Sequence, residues 1–179
     1  GDIKGQLKFT YDYPVIKNNY QTVFSPQTAY QMTSILEGVV QRGTAKKIKD
    51  LKLNIAGKTG TTNKNTDTWF IGFTSNLLIG VYVGSDNPVS LGKYETGSKT
   101  ALPIFKEFIK KVVKKSDARP FKAAGGTVMM VVDPITGQKA KFTSKNTIIE
   151  VYKKENVING EVLYSNNDRL DVNNILKFY

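Results

Sequence analysis

The alternation of apolar and polar positions along the chain predicts two amphipathic helices with a small sheet between them. Ser25-Pro26 pairs an N-capping side chain with a proline at the first helical position. From there Ala29, Met32, Leu36, Val39 and Val40 recur at helical spacing until Gly43. That pattern predicts a helix over 25–43 whose stripe packs into a core. Leu102, Phe105, Phe108, Ile109, Val112 and Val113 form a second stripe, predicting a helix over 101–115 with Pro103 tolerated near its start. Between the helices, Leu53–Thr62 reads as one strand, and Thr68–Phe73 and Leu77–Val83 read as a hairpin around Thr74-Ser75-Asn76. The expected arrangement is three neighbouring antiparallel strands covered by both helices.

Residues 1–24 carry short strand-like pieces around turn signals such as Asp12-Tyr13-Pro14. Downstream, Asp117–Gly126 reads as a linker, because Arg119-Pro120 and Gly125-Gly126 interrupt both periodicities. Thr127–Val132, the turn Asp133–Gly137, Ala140–Phe142 and Thr147–Tyr152 then predict a small β-rich appendage, followed by polar Ser165–Asp168 and a tail over Leu170–Tyr179. The division expected is therefore 1–119 and 120–179.

Composition narrows the chemistry. The 179 residues include no Cys and no His, which removes thiolate nucleophiles, disulfides, cysteine–histidine zinc sites and any Ser-His-Asp triad. Catalysis must rest on Lys, Ser, Thr, Tyr, Asp or Glu. A hydrophobic share of 40% suffices for a packed core, and no apolar run is long enough to cross a membrane. The start of the chain has no apolar run of the signal-peptide kind. The net charge of +11 sits in two windows: residues 42–58 hold six basic and one acidic side chain, and residues 99–122 hold eight and two. A nucleic-acid surface is one reading. The lysines instead fall on the outer faces of predicted helices, and aromatic residues do not interleave with them as a stacking platform requires. The expectation is solvated helix faces and no nucleic-acid partner.

The run Ala56-Gly57-Lys58-Thr59-Gly60-Thr61-Thr62 carries the candidate chemistry. It is not a phosphate loop: no glycine stands at the required distance before Gly57, and strands follow rather than a helix. A lysine beside an anionic ligand supplies a positive field, flanking hydroxyls bond a carboxylate, and a glycine lets substrate approach the backbone closely. Lys-Thr-Gly is a strand signature of serine acyl-enzymes such as penicillin-binding proteins and β-lactamases. Around it stand Tyr30-Gln31-Met32-Thr33, Glu37–Thr44, Asp67–Phe73, Val81–Gly84, Glu95-Thr96-Gly97-Ser98 and Ala101–Phe105. In this order and spacing, over roughly residues 20–155, the chain resembles the latter half of the transpeptidase domain of a class A penicillin-binding protein, a bifunctional peptidoglycan synthase.

The resemblance implies an α+β fold of the penicillin-binding-protein and β-lactamase type, here partial: an antiparallel sheet covered by helices, plus the C-terminal appendage. It implies D-alanyl-D-alanine transpeptidation through an acyl-serine, with peptidoglycan stem peptides and β-lactams as partners and no cofactor or metal. Lys58 would face the active-site hydroxyls and the substrate carboxylate. Thr59 and Thr61 would bond that carboxylate, Gly60 would give access, and the Thr61 N–H would be one of two oxyanion donors. Strand alternation sets Lys58 and Gly60 opposite Thr59 and Thr61, so both sets serve one site only if the strand edge faces the cleft.

The family's Ser-x-x-Lys and Ser-x-Asn patterns precede Lys-Thr-Gly. Here Ser90-Leu91-Gly92-Lys93, Ser85-Asp86-Asn87, Ser144-Lys145-Asn146 and Ser165-Asn166-Asn167 match by letters but all follow Lys58. They read as coincidences, and the nucleophile as absent. The expectation is a C-terminal fragment, inactive alone and inclined to self-associate. Its parent would carry an N-terminal glycosyltransferase and membrane anchor, at the periplasmic face of the inner membrane. The competing reading is a non-catalytic cell-envelope interaction module. Trp69 is expected to pack behind the sheet, and Arg42 to end a solvated helix.

Overall fold

The structure, a computed structural model, describes residues 21–87, 89–114, 119–141, 144–158 and 161–162. Expectations for 1–20, Ser165-Asn166-Asn167 and the 170–179 tail lie outside these residues.

Helix α1 spans Pro26–Arg42, with Ser25 capping it: its hydroxyl accepts from the Thr28 N–H at 3.2 Å. A 3₁₀ turn over Lys46–Leu51 follows, driven by a single buried apolar residue, Ile48. The strand starts later than the pattern suggested. Lys52 adopts a left-handed φ of 54°, and Leu53 and Ile55 turn into the core before β1 begins at Ala56 and runs to Thr61. β2 (Thr68–Phe73) and β3 (Leu78–Val83) form the expected hairpin, closed by Thr74: its N–H reaches the Leu77 carbonyl at 2.8 Å, and its hydroxyl donates to Asn76 Oδ1 at 2.9 Å. The sheet order is β1-β2-β3, antiparallel throughout. Helix α2 runs Ala101–Val112.

The core lies on one face of this sheet. Val40 of α1, Ala45, Ile48, Ile55, Phe70 of β2, and Ala101, Leu102, Phe105 and Ile109 of α2 are all buried together. Phe70 meets Phe105 edge-on, ring centroids 4.7 Å apart. Gly72 makes that approach feasible, since a Cβ there would stand 2.6 Å from Phe70 and 2.8 Å from Phe105. Each such side chain contributes about 1.5–3 kcal/mol by leaving water.

Two stripe readings need correction. On α1 only Val40 of the stripe is buried, and Met32 is half exposed, because the helix leans on the sheet mainly through its C-terminal end. On α2, Phe108 and Val112 also stay exposed, because the buried face is the narrower one through Leu102, Phe105 and Ile109. Trp69 does not pack behind the sheet. It alternates with buried Thr68 and Phe70, so it stands on the face away from α2, 42% exposed, with its ring 4.8 Å from Tyr82.

After residue 119 the chain touches that other face at the end of β2, where Phe121 meets Phe73 edge-on. β4 (Thr127–Val132) and β5 (Ile148–Lys153) pair antiparallel around Met130, Val132 and Val151, a second small core. The turn at Asp133 forms as expected: its carboxylate accepts from Ile135 N–H at 2.7 Å and Thr136 N–H at 3.1 Å. Ala140 adds one bond to Val131, while Phe142 lies outside the described residues. Short strands β6 (Val157–Ile158) and β7 (Glu161–Val162) complete the chain described. This unit rests on α1: Gln31 donates to the Val151 carbonyl at 3.1 Å, and Arg42 pairs with Glu150 at 2.5 Å. Arg42 is thus partly exposed yet tied to β5, not merely a solvated helix end.

Candidate functional site

β1 is an edge strand, and its hydrogen-bond phase determines what that edge offers. The register pairs Thr61 with Thr68, Gly60 with Trp69, Thr59 with Phe70 and Lys58 with Ile71. Just beyond, the Thr62 N–H donates to the Asp67 carbonyl at 3.0 Å. In an antiparallel ladder, hydrogen-bonded pairs alternate with non-bonded ones. Lys58 and Gly60 therefore bond to β2, while the N–H and C=O groups of Gly57, Thr59 and Thr61 point away from it, toward the free edge. The Lys58 side chain and the bare Cα of Gly60 lie on the face of Ile71 and Trp69, and the side chains of Thr59 and Thr61 share the face of Phe70 and Thr68.

The two sets meet at the edge. The exposed Lys58 ammonium bends over to the Thr59 carbonyl, 3.1 Å away, and forms no ion pair among the described residues. The Thr59 hydroxyl lies 2.9 Å from that of Thr44, just past the end of α1. The Thr61 hydroxyl accepts from the Gly97 N–H at 3.1 Å. Gly97 is buried against the strand, and a Cβ there would come 2.4 Å from the Trp69 carbonyl and 2.7 Å from that of Gly60. Thr44 and Gly97 are the site neighbours that sequence reading passed over. Both sit in segments already picked out, Glu37–Thr44 and Glu95–Ser98, but neither residue type announces a contact with a strand far along the chain.

The turn after β1 is held by Asp67. Its carboxyl accepts from the Tyr82 hydroxyl at 2.7 Å and from Thr66 at 2.9 Å, and these bonds hold it below the usual carboxylate range, Tyr82 contributing most. The same bond raises Tyr82. On α1, burial pushes the Glu37 carboxyl up. Among the described residues no three acidic or metal-binding side chains converge to hold an ion. An open groove of about 440 Å³ lies between Pro26, Ala29, Tyr30 and Thr33 of α1 and residues 121–125; none of residues 58–61 lines it. Ser90 stands in a loop, its hydroxyl accepting from the Gly92 N–H at 3.2 Å, not at a helix start.

The sequence profile of the penicillin-binding protein transpeptidase domain matches residues 7–110, which is 104 of 179 positions. This chain belongs to that family. Penicillin-binding protein 1A of Rickettsia conorii is 43% identical over 145 residues, covering 80% of this chain and 18% of the relative. Its counterpart from Pseudomonas aeruginosa is 37% identical over 145 residues, 75% and 18% respectively. The crystal structure of penicillin-binding protein 1A from Haemophilus influenzae superposes with a TM-score of 0.63 at 30% identity, over 73% of this chain and 21% of that one. The chain thus spans about a fifth of the length of the relatives it matches, and its fold is a part of the transpeptidase fold, α+β with an antiparallel sheet. No described helix is long and apolar enough to cross a membrane.

Proposed function

We propose that this chain forms one wall of a serine acyl-transfer site that cross-links peptidoglycan, with Lys58, Thr59, Gly60 and Thr61 lining the free edge of β1. The observation that carries this reading is the juxtaposition there of outward Thr59 and Thr61 N–H groups, a lysine with no carboxylate partner among the described residues, and two hydroxyls. A stem peptide ending in D-Ala-D-Ala lies along such an edge with its terminal carboxylate at the Lys58 ammonium and the two hydroxyls. The reacting carbonyl then comes to the Thr61 N–H, where charge develops on its oxygen. A serine from elsewhere in the full-length protein attacks that carbonyl. The C–N bond breaks, and D-alanine leaves with the serine's proton on its amine. The amine of a second stem peptide then displaces the serine, completing the cross-link. A β-lactam enters the same place and stays as the acyl-serine.

The longer protein carries the nucleophile, the glycosyltransferase and the membrane anchor, and works at the periplasmic face of the inner membrane. Residues 1–119 belong to the catalytic domain and 120–179 to an appendage, a division supported by the two separate cores.

In the full-length protein, Lys58→Ala is expected to slow acylation by a penicillin at least about ten-fold with melting nearly unchanged, since a charge-assisted bond is worth roughly 1.5–3 kcal/mol. Thr61→Val is expected to lose less, because its N–H remains. Lys64 is the control, replaced by Asn rather than Ala because its φ of 67° suits asparagine. Wild-type acylation in Lys58→Ala would leave the strand a structural element of a non-catalytic module. The chain by itself is expected to form no stoichiometric adduct with labelled penicillin.

A further inference from the structure

We infer that Thr44 is a positioning residue for the carboxylate site, holding the Thr59 hydroxyl as a donor toward the incoming anion. The inference rests on the acyl-transfer reading above. A hydroxyl owns one proton and two lone pairs, and only its proton serves a carboxylate, which accepts and cannot donate. Thr61 shows the required state directly: its oxygen already accepts from the Gly97 N–H at 3.1 Å, so its proton is available on the other side. Thr59 reaches the same state through Thr44. The two hydroxyl oxygens are 2.9 Å apart, and either can donate to the other. With a carboxylate present, the order that satisfies every group is Thr44 to Thr59 to carboxylate. Each bond polarises the next.

Thr44 is held for this task by the backbone on both sides. The N–H groups of Gly43 and Ala45 both donate to the Val39 carbonyl, at 3.1 and 3.2 Å, and Ala45 is fully buried in the core. Arg42, one residue before this clamp, is tied to Glu150 of β5. The Thr44 side chain itself is exposed, and its hydroxyl pairs with that of Thr59, so the hydroxyl can be removed without opening a cavity.

The test uses the full-length protein and two probes, a penicillin with its free carboxylate and the methyl ester of the same compound. Second-order acylation rates and melting curves are measured for Thr44→Val, Thr44→Ala, Thr44→Ser, Thr59→Val and the Thr44→Val/Thr59→Val pair. Thr44→Val and Thr44→Ala are expected to slow the free acid about three- to ten-fold and leave the ester unchanged. Thr44→Ser is expected to restore the rate, and the double variant to be no slower than Thr59→Val alone. Equal losses on acid and ester, no loss at all, failure of serine to rescue, or losses that multiply in the double variant would each overturn the inference. If Lys58→Ala, Thr59→Val and Thr61→Val also fail to separate acid from ester, the acyl-transfer reading falls with it. If those three do separate them and Thr44→Val does not, only the role of Thr44 falls.

Discussion

The Gly97 N–H donates to the Thr61 hydroxyl across 36 residues of sequence, at 3.1 Å, and binds the loop before α2 to the last residue of β1. The contact closes so tightly that only a glycine fits: a Cβ at 97 would be 2.4 Å and 2.7 Å from two carbonyl oxygens of the sheet. Both obstacles are backbone, which cannot rotate away as a side-chain end does.

Gly97→Ala is therefore expected to destabilise by about 1–3 kcal/mol through overpacking, and to slow acylation in the full-length protein by moving Thr61. Gly80→Ala is the comparison, since nothing lies within 4 Å of the added carbon; it should stay within about 0.5 kcal/mol of wild type. Denaturant titration alongside acylation rates checks both.

Phe105→Ala should cost about 3–5 kcal/mol, because the ring is fully buried against Phe70 and leaves a cavity. Phe108→Ala, one turn on and about half exposed, should cost far less. Equal costs in chemical unfolding would mean that the second helix face is also covered.

Burial raises the Glu37 carboxyl, so the folded state holds its proton to higher pH than the unfolded chain. The sign follows from linkage: such a group stabilises fully below its unfolded pKa, and the benefit is lost as pH rises through the folded value. Glu37→Gln should gain stability over wild type as pH rises from the ordinary carboxylate range through that folded value. The difference should vanish at low pH. Melts at a series of pH values test it; a constant offset would assign the effect to packing.

Trp69, the sole tryptophan, pairs with Tyr82 on the face of the sheet away from α2, and Ile71 and Leu78 on that face are exposed as well. Acrylamide should quench its emission readily in dilute solutions of this chain. Exposed apolar area of this kind favours association, so quenching should weaken as concentration rises, in step with mass from light scattering. Strong shielding in the monomer would contradict the exposed face.

The elements themselves were legible in the sequence because their signals are local. Ser25-Pro26 starts α1, the Thr74 turn closes the hairpin, and Phe105 and Ile109 fall on one stripe, each through a few neighbouring residues and the chain's own periodicity. The Lys-Thr-Gly strand and its family were legible for the same reason, as residue order and spacing. What tertiary structure alone decided was orientation. Strand alternation told that Lys58 and Thr61 lie on opposite faces, but only pairing with β2, in one of two possible phases, turns the Thr59 and Thr61 N–H groups toward the free edge. Alternation likewise could not say which face of β2 receives α2, and so left Trp69 on the wrong side. Thr44 and Gly97 reach the site through contacts 15 and 36 residues apart, which no local pattern encodes because they exist only once α1 and the loop before α2 have docked on the sheet.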